Sequence, residues 1–318
     1  MTEQMVDVGR GIALCCEPFG DPADPPALLV MGLATQMIAW PEAFCEDLAA
    51  RGLYVVRFDN RDIGRSTHVD GAPPSVGQLI RRSRGAAHYS LADMAQDAVG
   101  LLGALELGPA HVIGASMGGM IAQTMAARHP ECVRSLVSIM STTGSRRAGQ
   151  PALRMYPMLL RRPSAGREAY AQRTSRVFAA IGSTGLPRDD EAVREMALAS
   201  YDRDHDPHGP GRQLAAILAA GDRTAEVRGI RAPTLVIHGS ADPLVAPSGG
   251  RATARAVAGA RLLEIEGMGH DLPPAAWPQL IEAIADHVAA ADASPERRLR
   301  VGHDAPPTGA ATGRLRRG

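Results

Sequence analysis

The sequence predicts an α/β protein whose mostly parallel sheet of eight strands is flanked by helices and interrupted by an inserted group of helices. Three observations lead to this prediction. Apolar strand patterns alternate with helical patterns on both sides of a central segment, as in doubly wound sheets. Between about residues 141 and 231 the strand patterns stop and helical patterns continue. In addition, one apolar strand runs directly into a serine bracketed by glycines and then into a helix.

The composition is that of a globular protein with balanced charge. A chain of 318 residues can bury ~75% of the surface that it exposes when unfolded. Its 34 basic and 34 acidic residues cancel, which argues against nucleic acid or an anionic membrane surface as a partner. Every basic residue is arginine, so a mechanism with a covalently reacting lysine is excluded.

The cysteines and the first residues indicate a cellular compartment. Cys15, Cys16, Cys45 and Cys132 lack metal-ligand spacing, and we expect free thiols in a reducing compartment. The chain opens without a basic, apolar leader, and no apolar run approaches the ~20 residues of a membrane span. We therefore expect a cytoplasmic protein without a membrane span, and the sequence leaves the oligomeric state open.

The chain begins with a predicted antiparallel hairpin at a sheet edge. Residues 5–8 and 12–17 have the pattern of short strands, and Gly9-Arg10-Gly11 supplies the turn. The apolar runs 27–31 and 53–58 are typical of strands buried on both faces of a parallel sheet.

Two helices are predicted before the glycine-flanked serine. Residues 41–51 indicate a helix with a proline in its first turn. Ser90 has the features of an N-cap for a helix through Leu105, with Asp93 at the reciprocal capping position.

The stretch around Ser116 organises the rest of the chain. Residues 110–115 predict a strand, and the apolar periodicity up to His129 predicts a helix directly after the serine. A serine at such a corner needs a strained backbone, and Gly114 and Gly118 avoid collisions that a Cβ would make with the neighbouring helix and strand. The corner projects Oγ out of the sheet, and the helix N-terminus aims its free N–H groups at whatever Oγ attacks.

Residues 135–140 predict one more strand before the inserted helices. Helical periodicity recurs in four segments, near 151–162, 166–181, 188–203 and 211–221. We therefore predict a core of residues 1–142 and 231–293 with a helical cap inserted over 143–230. Residues 294–318, rich in Pro, Gly and Arg, predict a disordered tail.

Strands at 234–238 and 261–265, followed by a helix over about 275–290, complete the predicted sheet. Ligands bind at the carboxyl ends of the strands in such sheets. Ser116, Asp242 and His270 each come shortly after a strand, so that the three side chains are expected at the same edge.

These three residue types suit nucleophilic catalysis. A serine hydroxyl needs a base to take its proton, and histidine titrates in the right range to do so and to return the proton later. A carboxylate behind the imidazole fixes its tautomer and stabilises the imidazolium. We predict Ser116 as the nucleophile, His270 as the base and then acid, and Asp242 as the residue that orients the imidazole.

Other candidates for base and acid fit less well. His238 ends a core strand and is interpreted as a packed residue. Asp271 is adjacent to His270 and badly placed for its Nδ1, while Asp59 and Asp62 lie in a loop where a structural role is expected.

The predicted oxyanion hole consists of the backbone N–H groups of Leu33 and Met117. Met117 opens the helix after the serine, and Gly32 lets the backbone turn close to the acyl group. One such donor typically contributes about 2.7–4 kcal/mol. The residues predicted to line the substrate pocket are Gly32, Met37, Trp40 and Leu159.

A cluster of aspartates and histidines in the inserted segment invites a metal interpretation. Its members are Asp202, Asp204, His205, Asp206 and His208. Their irregular spacing and the neighbouring prolines and glycines favour an exposed loop, so that no metal site is predicted.

Five short motifs together resemble the α/β-hydrolases with an inserted cap, over about residues 5–292. They are Gly32-Leu33, Asp59-x-Arg61-x-x-Gly64-x-Ser66, Gly114-x-Ser116-x-Gly118, Gly239-x-x-Asp242 and Gly269-His270. Val30-Met31-Gly32 and Gly267-Met-Gly-His270 are similar to the aclacinomycin-methylesterase-like esterases and actinobacterial carboxylesterases. Met31 replaces the histidine that many members have before the oxyanion glycine.

The resemblance implies cleavage of a carboxylic ester, such as a methyl or short-chain ester of a hydrophobic natural product or lipid, through an acyl-enzyme and without cofactor or metal. Relatives that use an aspartate nucleophile do not fit Ser116. Three alternatives share the triad and stay open: a C–C bond hydrolase, a perhydrolase and a ligand-binding protein of low turnover.

Overall fold

The structure, a computed structural model, describes residues 2–75, 77–78, 87–159 and 166–293, and at Leu159 the backbone alone. Its strands are β1 Gln4–Asp7, β2 Ala13–Phe19, β3 Pro26–Val30, β4 Tyr54–Phe58, β5 Ala110–Ala115, β6 Val133–Ile139, β7 Thr234–Gly239 and β8 Arg261–Ile265. They form one eight-stranded sheet in the order β1-β2-β4-β3-β5-β6-β7-β8. β2 pairs antiparallel with β1 and with β4, and the other neighbours are parallel. The predicted fold class and edge hairpin are confirmed.

The helices of the described residues lie between and after these strands. They are α1 Glu42–Ala49, α2 Leu91–Ala104, α3 Met117–Arg128, α4 Tyr156–Leu159, α5 Arg167–Ile181, α6 Asp190–Arg203, α7 Gly209–Ala220, α8 Thr224–Val227, α9 Ser248–Ala256 and α10 Trp277–Ala293. The predicted N-cap of α2 is confirmed, because Ser90 Oγ accepts from the Asp93 N–H while the Asp93 carboxylate accepts from the Ser90 N–H.

Helix α9 is not predicted from the sequence. Its first turn contains Gly249 and Gly250, and glycine is a poor helix former, which hides the helical pattern. Both glycines are needed for close packing. A Cβ on Gly250 would stand 2.5 Å from His238 Nδ1, and one on Gly249 would stand 3.0 Å from the Cα of Gly149.

The apolar core lies on both faces of the parallel strands. Alternate residues of β3 divide between the two faces, with Leu28 and Val30 on one and Leu29 on the other. The first face packs against α2 and α3, and the second against α1 and α10. All six residues of β5 are buried, so the strand that leads to Ser116 is fixed from both sides.

The described part of the segment between β6 and β7 contains helices and no strand. It is tied to the loop after β4 by two buried ion pairs, Arg203–Asp59 and Arg212–Asp62, each at 2.7 Å. We propose that these helices are the cap expected for residues 143–230, inserted into a core of 1–142 and 231–293. The predicted tail, residues 294–318, lies outside the described residues.

Among the helices of the described residues, none has the length and apolar character needed to cross a bilayer.

Candidate active site

Ser116 occupies a strained corner between β5 and α3. Its φ of 57° and ψ of −118° lie in a region that side chains other than glycine rarely adopt. A Cβ on Gly114 would overlap the carbonyl of Gly118, and a Cβ on Gly118 would overlap the carbonyl oxygen of Val30 in β3. The expected reason for both glycines is therefore present in the structure.

The structure brings the three predicted side chains into one hydrogen-bonded series. His270 Nε2 is 2.9 Å from Ser116 Oγ, and His270 Nδ1 is 2.7 Å from Asp242 Oδ2. Asp242 follows the end of β7 and His270 follows the end of β8, so neighbouring parallel strands deliver both to the edge that holds Ser116. The N–H of His270 also donates to Ile181 O at the end of α5, at 2.7 Å.

Asp242 is held as an anion. Burial alone raises its pKa, but the charge of His270 and hydrogen bonds from His238, His270 and the Val245 N–H outweigh burial and lower the pKa to about 2. Its Oδ1 accepts from the N–H groups of Leu244 and Val245, at 2.9 and 2.8 Å. An anionic carboxylate requires the proton of neutral His270 on Nδ1, which leaves Nε2 free to accept the Ser116 proton.

A second imidazole lies behind this carboxylate. His238 is fully buried, and its Nε2 is 2.8 Å from Val245 O and 3.4 Å from Asp242 Oδ2. Because a carbonyl oxygen only accepts, the His238 proton belongs on Nε2. The prediction of a packed residue is confirmed, but its contact with the carboxylate was missed. The four-residue spacing of His238 and Asp242 at a strand end is the sequence signal for it.

Two backbone amides are available beside the serine. Met117 is the first residue of α3, so its N–H has no acceptor within that helix. In the part of the chain that the structure describes, the Leu33 N–H meets no acceptor. A Cβ on Gly32 would stand only 3.7 Å from Ser116 Oγ, so the chain at Gly32 passes directly over the hydroxyl.

These groups open into a large cavity. Its volume is about 1170 Å³, above the ~300–1,000 Å³ of typical ligand pockets. Ser116 and His270 line it together with residues of the inserted helices, among them Val177 and Leu214. A bulky ligand therefore has room beside the serine.

Comparison with known sequences decides the family. The profile of the alpha/beta hydrolase fold family matches residues 25–273. The chain belongs to this family.

Relatives of this hydrolase-fold chain include methylesterases. Rhodomycin D methylesterase DauP from Streptomyces sp. (strain C5) is 31% identical over 299 residues, 88% of this chain and 96% of that protein. Rhodomycin D methylesterase DnrP from Streptomyces peucetius is 29% identical, with the same coverage of both chains. The crystal structure of an enol-lactonase from Burkholderia xenovorans LB400 superposes with a TM-score of 0.68 at 23% identity, over 90% of this chain and 98% of that one, which shows a shared fold. The resemblance predicted from the motifs is confirmed.

The predicted pocket residues of this hydrolase-fold chain need correction. Gly32 lines the cavity, but Met37 and Trp40 do not and are fully buried. Met37–Ala39 forms a single turn of 3₁₀ helix that points Met37 inward and leaves Ile38 and Ala39 at the cavity. Trp40 stacks on Phe44, with ring centroids 5.6 Å apart. The side chain of Leu159 lies outside the described residues.

The other rejected acids have structural partners. Asp271 accepts hydrogen bonds from the N–H and Oγ of Ser183 and not from His270. Asp59 accepts from the N–H groups of Met37 and Arg65, as expected for a loop with a structural role.

Two carboxylates of the predicted aspartate and histidine cluster form ion pairs with arginines. Asp202 pairs with Arg167, and Arg212 lies 2.7 Å from Asp62 and 2.6 Å from Asp206. Asp62 and Asp206 also approach His68 closely enough to share a cation. The guanidinium already provides the positive charge between the two carboxylates, so this donor set does not favour a metal ion.

Proposed function

We propose that the protein hydrolyses a carboxylic ester through an acyl-enzyme formed on Ser116. The observation that supports it most directly is the hydrogen-bonded series Ser116–His270–Asp242, of which Ser116 and His270 line a large cavity. Family membership and the methylesterase relatives support ester hydrolysis independently.

In the proposed first half-reaction, Ser116 Oγ attacks the ester carbonyl carbon while His270 Nε2 takes the hydroxyl proton. The carbonyl electron pair moves to oxygen, and the N–H groups of Leu33 and Met117 stabilise that oxyanion. The intermediate collapses as the C–O bond to the alcohol breaks, and His270 returns the proton to the leaving alkoxide. Asp242 stabilises the imidazolium in between.

In the second half-reaction a water molecule replaces the alcohol. His270 takes a proton from the water as its oxygen attacks the acyl carbon, and the same two amides stabilise the second oxyanion. The bond to Ser116 Oγ then breaks, the serine regains its proton, and the carboxylic acid leaves. The sequence of steps needs no metal or cofactor.

We infer a methyl or other short-chain ester of a bulky hydrophobic acid as the substrate. The cavity of about 1170 Å³ accommodates a large acid. The two methylesterases are named for rhodomycin D, and the chain covers 96% of each. A hydrophobic natural product or a lipid meets this description.

The test is turnover with a matched serine control. We expect the wild type to hydrolyse p-nitrophenyl esters and methyl esters of polycyclic acids, and a fluorophosphonate to label Ser116. Ser116→Ala is expected to lose both turnover and label, while Ser145→Ala, outside the hydrogen-bonded series, keeps both.

Two outcomes would contradict the proposal. A folded wild type with neither label nor turnover would remove Ser116 as nucleophile and favour a ligand-binding protein. Labelling of Ser116 without ester turnover would replace ester hydrolysis by C–C bond cleavage or perhydrolysis on the same residues.

A further inference from the structure

The turn that follows Gly32 is held by side chains from two other parts of the chain. Ala34 has a φ of 60°, a left-handed conformation that costs an L-residue about 1–2 kcal/mol. Its N–H donates to Gln213 Oε1 at 2.9 Å, and Leu33 O accepts from Thr35 Oγ1 at 3.0 Å. Both polar atoms of the peptide group between Leu33 and Ala34 are therefore engaged.

The peptide group on the other side is also fixed. Asn60 Nδ2 donates to Met31 O at 2.9 Å, which holds the peptide between Met31 and Gly32. The peptide between Gly32 and Leu33 is left with its N–H free beside Ser116. The orientation of the Leu33 amide is thus set by its neighbours.

Of the side chains that hold this turn, Gln213 is the most distant along the sequence. It lies in α7, is fully buried, and is not among the residues that line the cavity. Its Nε2 donates to Arg61 O at 2.9 Å. Because the Ala34 N–H only donates and the Arg61 carbonyl only accepts, the two bonds fix which way the carboxamide points. The carboxamide therefore bridges the turn at Ala34 to the loop after β4.

The neighbouring residue anchors the same turn of helix. Arg212 Nε and Nη2 donate to the carboxylate of Asp62, at 2.9 and 2.7 Å. Two adjacent residues of α7 thus bind two adjacent residues of one core loop, and this double attachment leaves Gln213 little freedom to move away from Ala34.

We propose that Gln213 is a positioning residue for the oxyanion hole. It holds the left-handed turn at Ala34 and thereby aims the Leu33 N–H at the oxygen of the tetrahedral intermediate. The inference rests on the proposed function. Gln213 does not touch the substrate and acts through Leu33 alone.

The test compares two substitutions of Gln213 with a matched buried glutamine. Gln213→Met preserves volume and removes both hydrogen bonds, whereas Gln213→Glu keeps an acceptor for the Ala34 N–H. The control is Gln123→Met, since Gln123 in α3 is equally buried and bonds Ser138 and Arg223, at 2.9 and 3.1 Å. Folding of all three is checked by thermal denaturation.

We expect Gln213→Met to lower kcat for p-nitrophenyl esters by about 10- to 100-fold with KM changed less than about threefold. Gln213→Glu is expected to recover most of this loss. Gln123→Met is expected to lower the Tm comparably, with kcat within about threefold of the wild type.

An alkyl trifluoromethyl ketone supplies a second readout that needs no turnover. Ser116 Oγ adds to its carbonyl carbon, the proton passes to His270, and the resulting oxyanion occupies the same hole. The Kd of the ketone is expected to rise in Gln213→Met by about the factor by which kcat/KM falls.

The outcomes separate this inference from the proposed function. If Gln213→Met retains wild-type kcat and ketone affinity, the positioning role is overturned while ester hydrolysis stands. If the wild type binds the ketone on Ser116 but hydrolyses no ester, the proposed reaction is wrong, and the ketone Kd still decides the role of Gln213. If the wild type neither binds nor hydrolyses, both are overturned.

Discussion

Asp242 retains its charge although its side chain is fully buried. Backbone N–H groups donate to one of its oxygens, and imidazole nitrogens of His270 and His238 lie 2.7 and 3.4 Å from the other. The carboxylate therefore stays ionised near neutral pH, in contact with His270.

Replacing the Asp242 carboxylate by a neutral amide tests its proposed role in orienting His270. We expect Asp242→Asn to lower kcat by up to about 10⁴-fold, because an amide stabilises the wrong tautomer of His270 and cannot stabilise an imidazolium. The steady-state rate on p-nitrophenyl acetate measures the loss. Asp271→Asn, next to His270 in the sequence, is the control, and its kcat is expected to fall less than about tenfold. Equal losses of kcat in Asp242→Asn and Asp271→Asn would contradict the assignment of Asp242 as the residue that orients His270.

The lowered pKa of Asp242 also predicts how stability depends on pH. The folded pKa of about 2 lies below the ordinary value of 3.8, so the carboxylate stabilises the fold above the unfolded pKa, and this stabilisation is lost as pH falls toward 2. The shift corresponds to about 2 kcal/mol near neutral pH and about half of that at pH 3.

Urea denaturation of the wild type and Asp242→Asn measures this dependence. The difference between their free energies of unfolding is expected to shrink by about 1 kcal/mol from pH 6 to pH 3. A difference that stays constant or grows over this range would contradict the lowered pKa.

At the scale of elements, the contact between β3 and α3 has no spare volume. A Cβ at Gly118 would overlap the backbone of β3, which cannot yield without breaking the sheet. Gly118→Ala is expected to lower the free energy of unfolding by more than about 3 kcal/mol. Gly103→Ala, in α2 with open space around it, is expected to raise it by about 0.5–1 kcal/mol. Urea denaturation checks both, and similar effects would rule out the steric explanation.

The attachment of the inserted helices depends on charge. Asp59 is fully buried, and burial raises its pKa despite the opposing effect of Arg203 at 2.7 Å. Arg203→Met is expected to cost about 3–5 kcal/mol of stability, because it leaves an unpaired buried carboxylate. The double variant with Asp59→Asn is expected to recover part of that loss. Calorimetry of the single and double variants measures the coupling, and purely additive losses would show that the pair does not interact.

Most elements are predictable because their signals are local. The strands before Ser116 and Asp242 are short, mainly apolar runs. The N-cap of α2 is predicted by the residue types and the spacing of Ser90 and Asp93. The prediction that Met37 and Trp40 line the pocket was wrong because one turn of 3₁₀ helix turns Met37 inward. The sequence does not show which side chains of so short a helix face the core. Gln213 was not predictable, since a helical pattern identifies a buried face but not the loop 179 residues away that it meets.

At the scale of the whole molecule, we propose that the cavity decides which esters fit. Val177 of α5 lines it, whereas Leu153, at the start of the inserted segment, is 87% exposed and does not. Val177→Trp is expected to raise KM for esters of bulky acids at least about fivefold and to leave acetate esters nearly unchanged. Leu153→Trp is the control and is expected to alter neither. Kinetics across a series of acyl sizes provide the measurement, and an unchanged profile in Val177→Trp would place the acyl group elsewhere.

The hydrogen bond between Gln213 and the Ala34 N–H has a consequence for the exchange of inserted helices between related proteins. On the proposed function, the inserted helices shape the acyl site, so that exchanging them between relatives is expected to alter substrate choice while Ser116, His270 and Asp242 stay in place. Here the exchanged piece would also bring or remove the side chain that steadies the Leu33 amide. We therefore expect substrate range and turnover to change together, and a shuffled descendant to keep its rate only where the incoming helix supplies an acceptor for the Ala34 N–H at the same position.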